Sequence, residues 1–461
     1  MQTTSLSKNK STNRNYNNWI HLDMKGMIPS PERLGEWLEW IAVHGFEGVV
    51  FEYEDRLPWQ TFQGTYRPGF DLNTWQQIWD NCKQLGLTVT PLIQTFGHLE
   101  CLLKHERWAH LRCDNHVNLL CPQHPEIHEL LAAWVEEVAR LHPDSEYMHV
   151  GLDEVYHFAE CAQCQAQAEQ SPHGKMGVLI QHAAFVCETV VKKGKRPIIW
   201  ADMFIGENGV DLVDELPSET VLCDWSYGEG AGENTRQLSG QSGRGIMAAS
   251  AIRSSFHTYF LMANLAPRIE NVMQWHNRIA NGEVGSVSAL IHTVWSRSRG
   301  LSPLYGPWEG WIPSFLLAGN PSLTLSAPLQ RGMKILERGQ KSTTYDQAHD
   351  AAGEMAQLHS DDAIEEAALR WWELSLRHAS ELFVVQFLTL GYENLRASIQ
   401  TQGTDPDLVD EMHDSRAKLN ERLSTLRNDI AEFLQCYQWS ESDEYLNGTI
   451  DNITRVIDSL P

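Results

Sequence analysis

Eight short apolar runs recur through the first two-thirds of this chain. That recurrence limits its fold more than any other feature. The runs are Trp19–Asp23, Gly48–Tyr53, Leu87–Thr95, Tyr147–Leu152, Pro197–Asp202, Thr220–Trp225, Gly245–Ala251 and Ala289–Trp295. Several are continuously apolar, the pattern of parallel strands covered on both faces. Helix-like stretches fall between most of them. Pro31–His44 carries Leu34, Trp37, Leu38 and Ile41 at helical spacing, with Ser30 as a cap ahead of Pro31. Asp71–Leu85, Pro125–Leu141, Lys175–Lys193 and Ala263–Ala280 read the same way. Eight strands with interleaved helices predict an α/β chain folded as a (β/α)8 TIM barrel. A doubly wound open sheet is the rival. It usually has fewer strands, and no Gly-rich phosphate loop follows the first strand here.

After about Gly319 the strand signals stop. Residues 361–400 and 406–435 are long, charged and helically periodic, with Leu374, Leu376, Ala379, Leu382 and Phe383 forming an apolar face. The expected division is a disordered tail over 1–18, a catalytic barrel over 19–335 and a C-terminal helical region over 336–461. The helical face would pack on the barrel, or on a second copy as a homodimer. The N-terminus is polar through Asn18 and lacks the apolar segment of a signal peptide, and no apolar run reaches membrane-spanning length. Nine cysteines, an odd number spread over a large chain, read as free thiols in a reducing cytoplasm. A net charge of −24 argues against nucleic acid and anionic membrane surfaces as partners.

The chemistry concentrates at the ends of the predicted strands, where barrel active sites are built. The fourth runs through Tyr147-Met148-His149-Val150-Gly151-Leu152 into Asp153-Glu154. A bare Asp-Glu pair is usually a solvated turn. In a closed pocket two adjacent carboxylates cannot both ionise freely, which suits a site needing one proton donor and one charged group. Strand side chains alternate faces, so both reach one pocket only if the pleat ends there. Trp200, Trp225 and Trp295 fall at the ends of the fifth, sixth and eighth strands. Any single Trp is more often core, but three so placed, with several carboxylates, would make a funnel for a sugar ring. Asp23 and His98 lie at the first and third strand ends, Asp202 and Arg297 stand beside Trp200 and Trp295, and Glu309 follows the eighth strand.

These stretches resemble glycoside hydrolase family 20, the β-N-acetylhexosaminidases. His149-Val150-Gly151-Leu152-Asp153-Glu154-Val155 is similar to the family's Asp-Glu motif. The likeness to the hexosaminidase D branch covers His21-Leu22-Asp23-Met24-Lys25-Gly26, Phe51-Glu52-Tyr53-Glu54-Asp55, Gln94-Thr95-Phe96-Gly97-His98 and Trp200-Ala201-Asp202-Met203, in order, from about Ile20 to about Phe315. The resemblance implies an exo-acting, retaining hydrolase of glycans ending in β-linked N-acetylglucosamine or N-acetylgalactosamine. The substrate's acetamido oxygen would be the nucleophile, through an oxazolinium, with no cofactor needed for catalysis. Glu154 would be the general acid and then the base, and Asp153 would hold the acetamido group. His98 would support the site, Trp200, Trp225 and Trp295 would line it, and Glu309 would bind sugar hydroxyls. Two positions depart from the family. An arginine usual at the first strand is replaced by the Asp23/Lys25 region. The tyrosine usual at the seventh is missing from Ala249-Ser250-Ala251-Ile252-Arg253, with Tyr227 as the substitute.

Cys161-Ala162-Gln163-Cys164 follows the dyad, and Cys113 and Cys121 lie in the preceding loop. Four thiolates from neighbouring loops could bind a structural Zn²⁺, against the reading of unpaired thiols. Two alternatives to a substrate-assisted hydrolase remain. A non-catalytic sugar-binding barrel would keep the Trp funnel without needing Glu154. A metal-dependent hydrolase would use His149, His157, His98 and Asp202, whose spacing matches no metal motif.

Overall fold

The computed structural model describes residues 14–205, 210–228, 230–241, 243–254, 261–262, 264–297, 304–401 and 406–459. Eight parallel strands close into a barrel in sequence order, with β1 pairing both β2 and β8. They are β1 Asn17–Asp23, β2 Gly48–Glu52, β3 Thr88–Leu92, β4 Tyr147–His149, β5 Arg196–Trp200, β6 Val221–Trp225, β7 Ile246–Arg253 and β8 Ala289–Val294. All eight predicted strands are present. The barrel takes in residues 14–18 of the expected tail: the Arg14 guanidinium donates to the carbonyls of Gly319 and Gly45, and Tyr16 is buried. Residues 1–13 of the expected tail, Ala263 at the head of one expected helix, and residues 460–461 lie outside the described residues.

Alternation along the strands sorts side chains into two layers. Trp19, Val50, Ile198, Trp200, Val221, Cys223, Ala249 and Ile291 fill the barrel interior. Ile20, Leu22, Val49, Phe51, Ile199, Leu222 and Val294 face outward into the helical shell. Small Ala249 and Ala289 leave room for Trp19 and Trp200 in the same interior cluster. The same period carries His21, Asp23, Glu52, Trp225 and Trp295 to the inside at the carboxyl ends of their strands. The capped helix at Pro31–Val43 begins as expected, with Ser30 accepting from the Arg33 amide.

The C-terminal region is helical: Ala327–Gln340, Tyr345–Met355, the long pair Ala363–Thr401 and Pro406–Cys436, then Ser442–Gly448 and Ile450–Asp458. The boundary expected at 335 falls inside the first of these. The region packs on the barrel. A Cβ on Gly310 would lie 2.6 Å from Trp371, and Trp372 Nε1 donates to the Gly310 carbonyl at 2.8 Å. Ser440 N–H donates to Ile28 O, and Ser30 N–H donates to Gln438 O.

Glu309 belongs to this interface, which corrects the expectation that it binds sugar hydroxyls. It is fully buried, ion-paired to Arg33 at 3.0 Å, and accepts from Trp439 Nε1 at 3.1 Å. Burial pushes its carboxyl up and Arg33 opposes that shift. Removing one partner of a buried pair strands the other charge, a loss of about 3–5 kcal/mol. Glu309→Ala is therefore expected to lower stability by about that much in denaturant titration. The surviving folded fraction should keep its KM; a raised KM at intact stability would return Glu309 to the sugar site.

Candidate active site

The site begins where β4 stops being a strand. Its pleat ends at His149, earlier than the predicted end at Leu152, and Gly151, Leu152 and Glu154 take positive φ angles of 72°, 78° and 51°. The φ of Gly151 favours glycine, and a Cβ there would push the Gln94 side chain aside. Leu152 and Glu154 in the left-handed region cost on the order of 1–3 kcal/mol each. That strain resolves the alternation problem: once out of extended backbone, adjacent Asp153 and Glu154 both turn to one pocket. Their exposures differ. The Asp153 side chain is 10% exposed and Glu154 33%. Asp153 sits deep and Glu154 faces the mouth.

His98, itself at φ 55°, lies against both. Its Nε2 is 3.4 Å from Asp153 Oδ2 and 3.4 Å from Glu154 Oε2. Burial alone would lower the imidazolium, but Asp153 and then Glu154 outweigh it and hold it up to about 9. Burial likewise raises Asp153, with the His98 charge opposing. The cation held between the carboxylates thus opposes the desolvation that pushes Asp153 up.

A cavity opens above the dyad at the carboxyl end of the barrel. Trp200, Trp225, Tyr227 and Trp295 wall it. Trp200 is almost fully buried and packs on His149 with ring centroids 4.4 Å apart. Trp295 Nε1 donates to Tyr227 Oη at 3.1 Å, tying the ends of β8 and β6 together. Arg297 lines the cavity and is bonded to Glu444 of the helical region at 2.7 Å. Lys25, Gln94, Ser254 and Tyr305 complete the lining. Tyr305, rather than the nearby Glu309, is the residue from the segment after β8 that reaches the cavity.

Two predicted site residues lie one layer out. Asp202 accepts from the Glu154 amide at 2.9 Å and from Trp225 Nε1 at 3.1 Å, so it positions one carboxylate and one wall. Burial, then the charge of Asp153, pushes its carboxyl up to about 7. Asp23 is fully buried and accepts from the Ser296 and Lys25 amides at 2.8 and 2.9 Å. Neither is among the lining residues. Lys25 Nζ stands 3.4 Å from Asp23 and Glu52, 3.8 Å from Glu54 and 4.9 Å from the Trp295 ring centre. Its ammonium is held well above the ordinary lysine range: burial opposes the charge, and Asp23 and Glu52 outweigh it.

Four cysteines come together as predicted. The sulfurs of Cys113, Cys121, Cys161 and Cys164 all lie within 4.8 Å of one another. His149, His157, His98 and Asp202 do not form a comparable group. His149 is buried beneath Trp200, whereas His157 is 73% exposed beside Glu160.

A closed parallel barrel with a carboxylate pair and aromatic walls at its carboxyl end is the frame of a barrel hydrolase. Comparison with known proteins agrees. Residues 70–297 match the model of the glycosyl hydrolase family 20 catalytic domain. Hexosaminidase D from Bos taurus is 28% identical over 64% of this chain and 88% of its own length. Hexosaminidase D from Homo sapiens is 29% identical over 64% of this chain, which spans 63% of that relative's length. These matches support a glycoside hydrolase of family 20, of the hexosaminidase D-like kind. Among solved structures, a β-N-acetylhexosaminidase from Bacteroides fragilis superposes with a TM-score of 0.52 at 15% identity, covering 70% of each chain. The family 20 exo-β-N-acetylglucosaminidase of Vibrio harveyi, in complex with N-acetylglucosamine, gives 0.53 at 15% identity, over 79% of this chain and 58% of that one. At that identity the likeness is one of fold. Among the described residues no helix is long and apolar enough to cross a membrane.

The His98 geometry sets a pH dependence. Its folded value near 9 lies above the unfolded value near 6.5. The stabilisation is therefore full below about pH 6.5 and lost as pH rises through 9. Melting temperatures of the wild type should fall across that window relative to those of His98→Gln. Parallel curves would refute the imidazolium assignment.

Proposed function

We propose that this chain is an exo-acting β-N-acetylhexosaminidase. It releases terminal β-linked N-acetylglucosamine or N-acetylgalactosamine with retention, and the substrate's acetamido oxygen is the nucleophile. The observation that carries the reading is the unequal burial of the dyad around one cationic histidine. Glu154, at the mouth, meets the glycosidic oxygen and gives it a proton as the C1–O bond breaks. The acetamido oxygen closes on C1, forming an oxazolinium whose positive charge is set against deep, anionic Asp153. Glu154 then takes a proton from water, which opens the ring at C1 and restores the original configuration. Trp200, Trp225 and Trp295 hold the sugar, and the Tyr227 hydroxyl meets the acetamido group. Asp202 keeps Glu154 aimed through its amide. No protein nucleophile enters this sequence. The names of the relatives and of the superposed structures support the substrate class. The cysteine quartet is read as a structural zinc centre, outside the chemistry.

The deciding assay sets aryl β-N-acetylglucosaminide and β-N-acetylgalactosaminide beside the plain β-glucoside. The first two should turn over and the glucoside, which lacks the acetamido group, should not. A thiazoline mimic of the oxazolinium should bind far more tightly than the product sugar, and Asp153→Asn should lose both rate and that affinity. Trapping a glycosyl ester on a protein carboxylate would overturn the scheme.

Glu154→Gln should cost about 10²–10⁴-fold in kcat. The loss should shrink for leaving groups that need little protonation. Wild-type rates on a poor leaving group would remove Glu154 from the acid role.

A further inference from the structure

The four clustered thiols come from two loops, and nothing in the hydrolytic chemistry uses them. Three of their sulfur–sulfur separations are 3.6, 3.6 and 4.0 Å. A tetrahedral zinc ion with Zn–S bonds of about 2.3 Å holds its sulfurs about 3.8 Å apart. A disulfide would need about 2.05 Å. Cys113, Cys121 and Cys164 are buried and Cys161 is half-buried. Cys161 is the N-cap of the helix Ala162–Gln170, where the helix dipole favours a thiolate. Its sulfur receives the Cys164 amide at 3.5 Å, and the amides of Gln123 and Cys161 face the sulfurs of Cys121 and Cys113. Amides donated to sulfur stabilise thiolate charge and orient the sulfurs toward a shared metal ion.

The loops joined here are the two that carry the site. Cys113 and Cys121 flank a small hairpin closed by Cys113 N–H to Leu119 O at 2.9 Å and Cys121 N–H to Leu111 O at 2.8 Å. That hairpin grips the chain on both sides of Gly97–His98. Leu120 N–H donates to Phe96 O at 3.0 Å, and Leu99 N–H donates to Asn118 O at 3.1 Å. Cys161 and Cys164 follow Glu154 along the next loop, whose Phe158 ring packs 5.9 Å from Phe96. His116 and Glu160 bridge the same two loops at 3.1 Å.

We propose that Cys113, Cys121, Cys161 and Cys164 bind one zinc ion that staples the loop after β3 to the loop after β4 and so sets His98 against Asp153 and Glu154. With four protein ligands the ion has no open position and takes no part in hydrolysis. The metal site stands on the sulfur geometry alone; the positioning role rests on the reading of the dyad given above.

The full-length chain, expressed with zinc and purified without chelator, should carry one zinc per molecule by elemental analysis. Denatured in chelator without reductant, it should show all nine cysteines as free thiols. Cobalt-substituted protein should show the charge-transfer and visible bands of a tetrahedral tetrathiolate. Cys113→Ser and Cys161→Ser should each lose the metal, whereas Cys436→Ser, at an exposed site, should retain it. The metal-free variants should lose on the order of 10²-fold in kcat, the cost of misplacing a catalytic group. KM should change little, and the alkaline limb of the pH–rate profile should shift as His98 moves. If the serine variants fail to fold, metal content, thiol count and the cobalt spectrum of the wild type still decide the site. Nine thiols without metal overturn the proposal, and so do four fewer thiols, which would mean two disulfides. Variants that lose zinc but keep kcat and pH profile overturn the positioning role. Zinc in a chain inactive on every N-acetylhexosaminide would leave the metal site intact and sink the function instead.

Discussion

Closure of β1 onto β8 is the constraint on which everything else rests. Asn17 pairs with Ala289, and the register runs on to Leu22 opposite Val294. A parallel sheet closed this way has no free edge, and its period-2 alternation becomes a sorting device. Every second side chain points inward, and the inward positions nearest the carboxyl ends belong to His21, Asp23, Glu52, Trp200, Trp225 and Trp295. A slip of one residue in any strand would send its member of that set into the helical shell. The interior cluster of Trp19, Ile198, Met247 and Ile291 sits beneath and guards against such slips.

On that floor the barrel places more charge than a buried volume ordinarily holds. Lys25 is ion-paired with Asp23, Glu52 and Glu54 at 3.4–3.8 Å under the cavity, and His21 is hydrogen-bonded to Glu52 at 2.8 Å. The lysine and Glu52 are driven toward their charged forms despite burial, while burial keeps Glu54 toward its neutral form. The dyad repeats the arrangement one storey higher, with His98 as the cation. In both places a positive group opposes the desolvation of the carboxylates around it, and removing that group would leave them buried without it. Polar groups fixed in such a lattice do not need to reorganise when charge develops on a substrate.

What could be read from the sequence was whatever depends on period and on strand ends. The eight runs, the helix capped at Ser30, the dyad, the aromatic walls and the cysteine quartet all have local signatures. What could not be read depends on partners brought from far along the chain. Glu309 sits after a strand as a sugar ligand would, but Arg33 and Trp439 claim it. Asp202 sits at a strand end, but its work is to receive the amide of Glu154. No residue in Leu152-Asp153-Glu154 announces a left-handed backbone, because leucine and glutamate rarely adopt one. Tyr305 follows the eighth strand beside Glu309, but a ring in a loop has no pattern that assigns it to the cavity, and the helices at 327–340 and 345–355 are short segments beside much longer periodic ones.

The contact between the barrel and its helical region has a consequence for how such proteins can be cut and joined. The family match ends at residue 297. The cavity wall at Arg297, however, is secured by Glu444, and Arg56 is paired with Glu441 at 2.6 Å. A chain severed after the last strand would lose Glu309, Glu441 and Glu444, the carboxylates paired with Arg33, Arg56 and Arg297, and would bare the Trp37 face that Trp308 covers. The boundary drawn by sequence likeness is thus not one along which this molecule can be divided. Barrel and helices must be inherited, exchanged or redesigned as a single block.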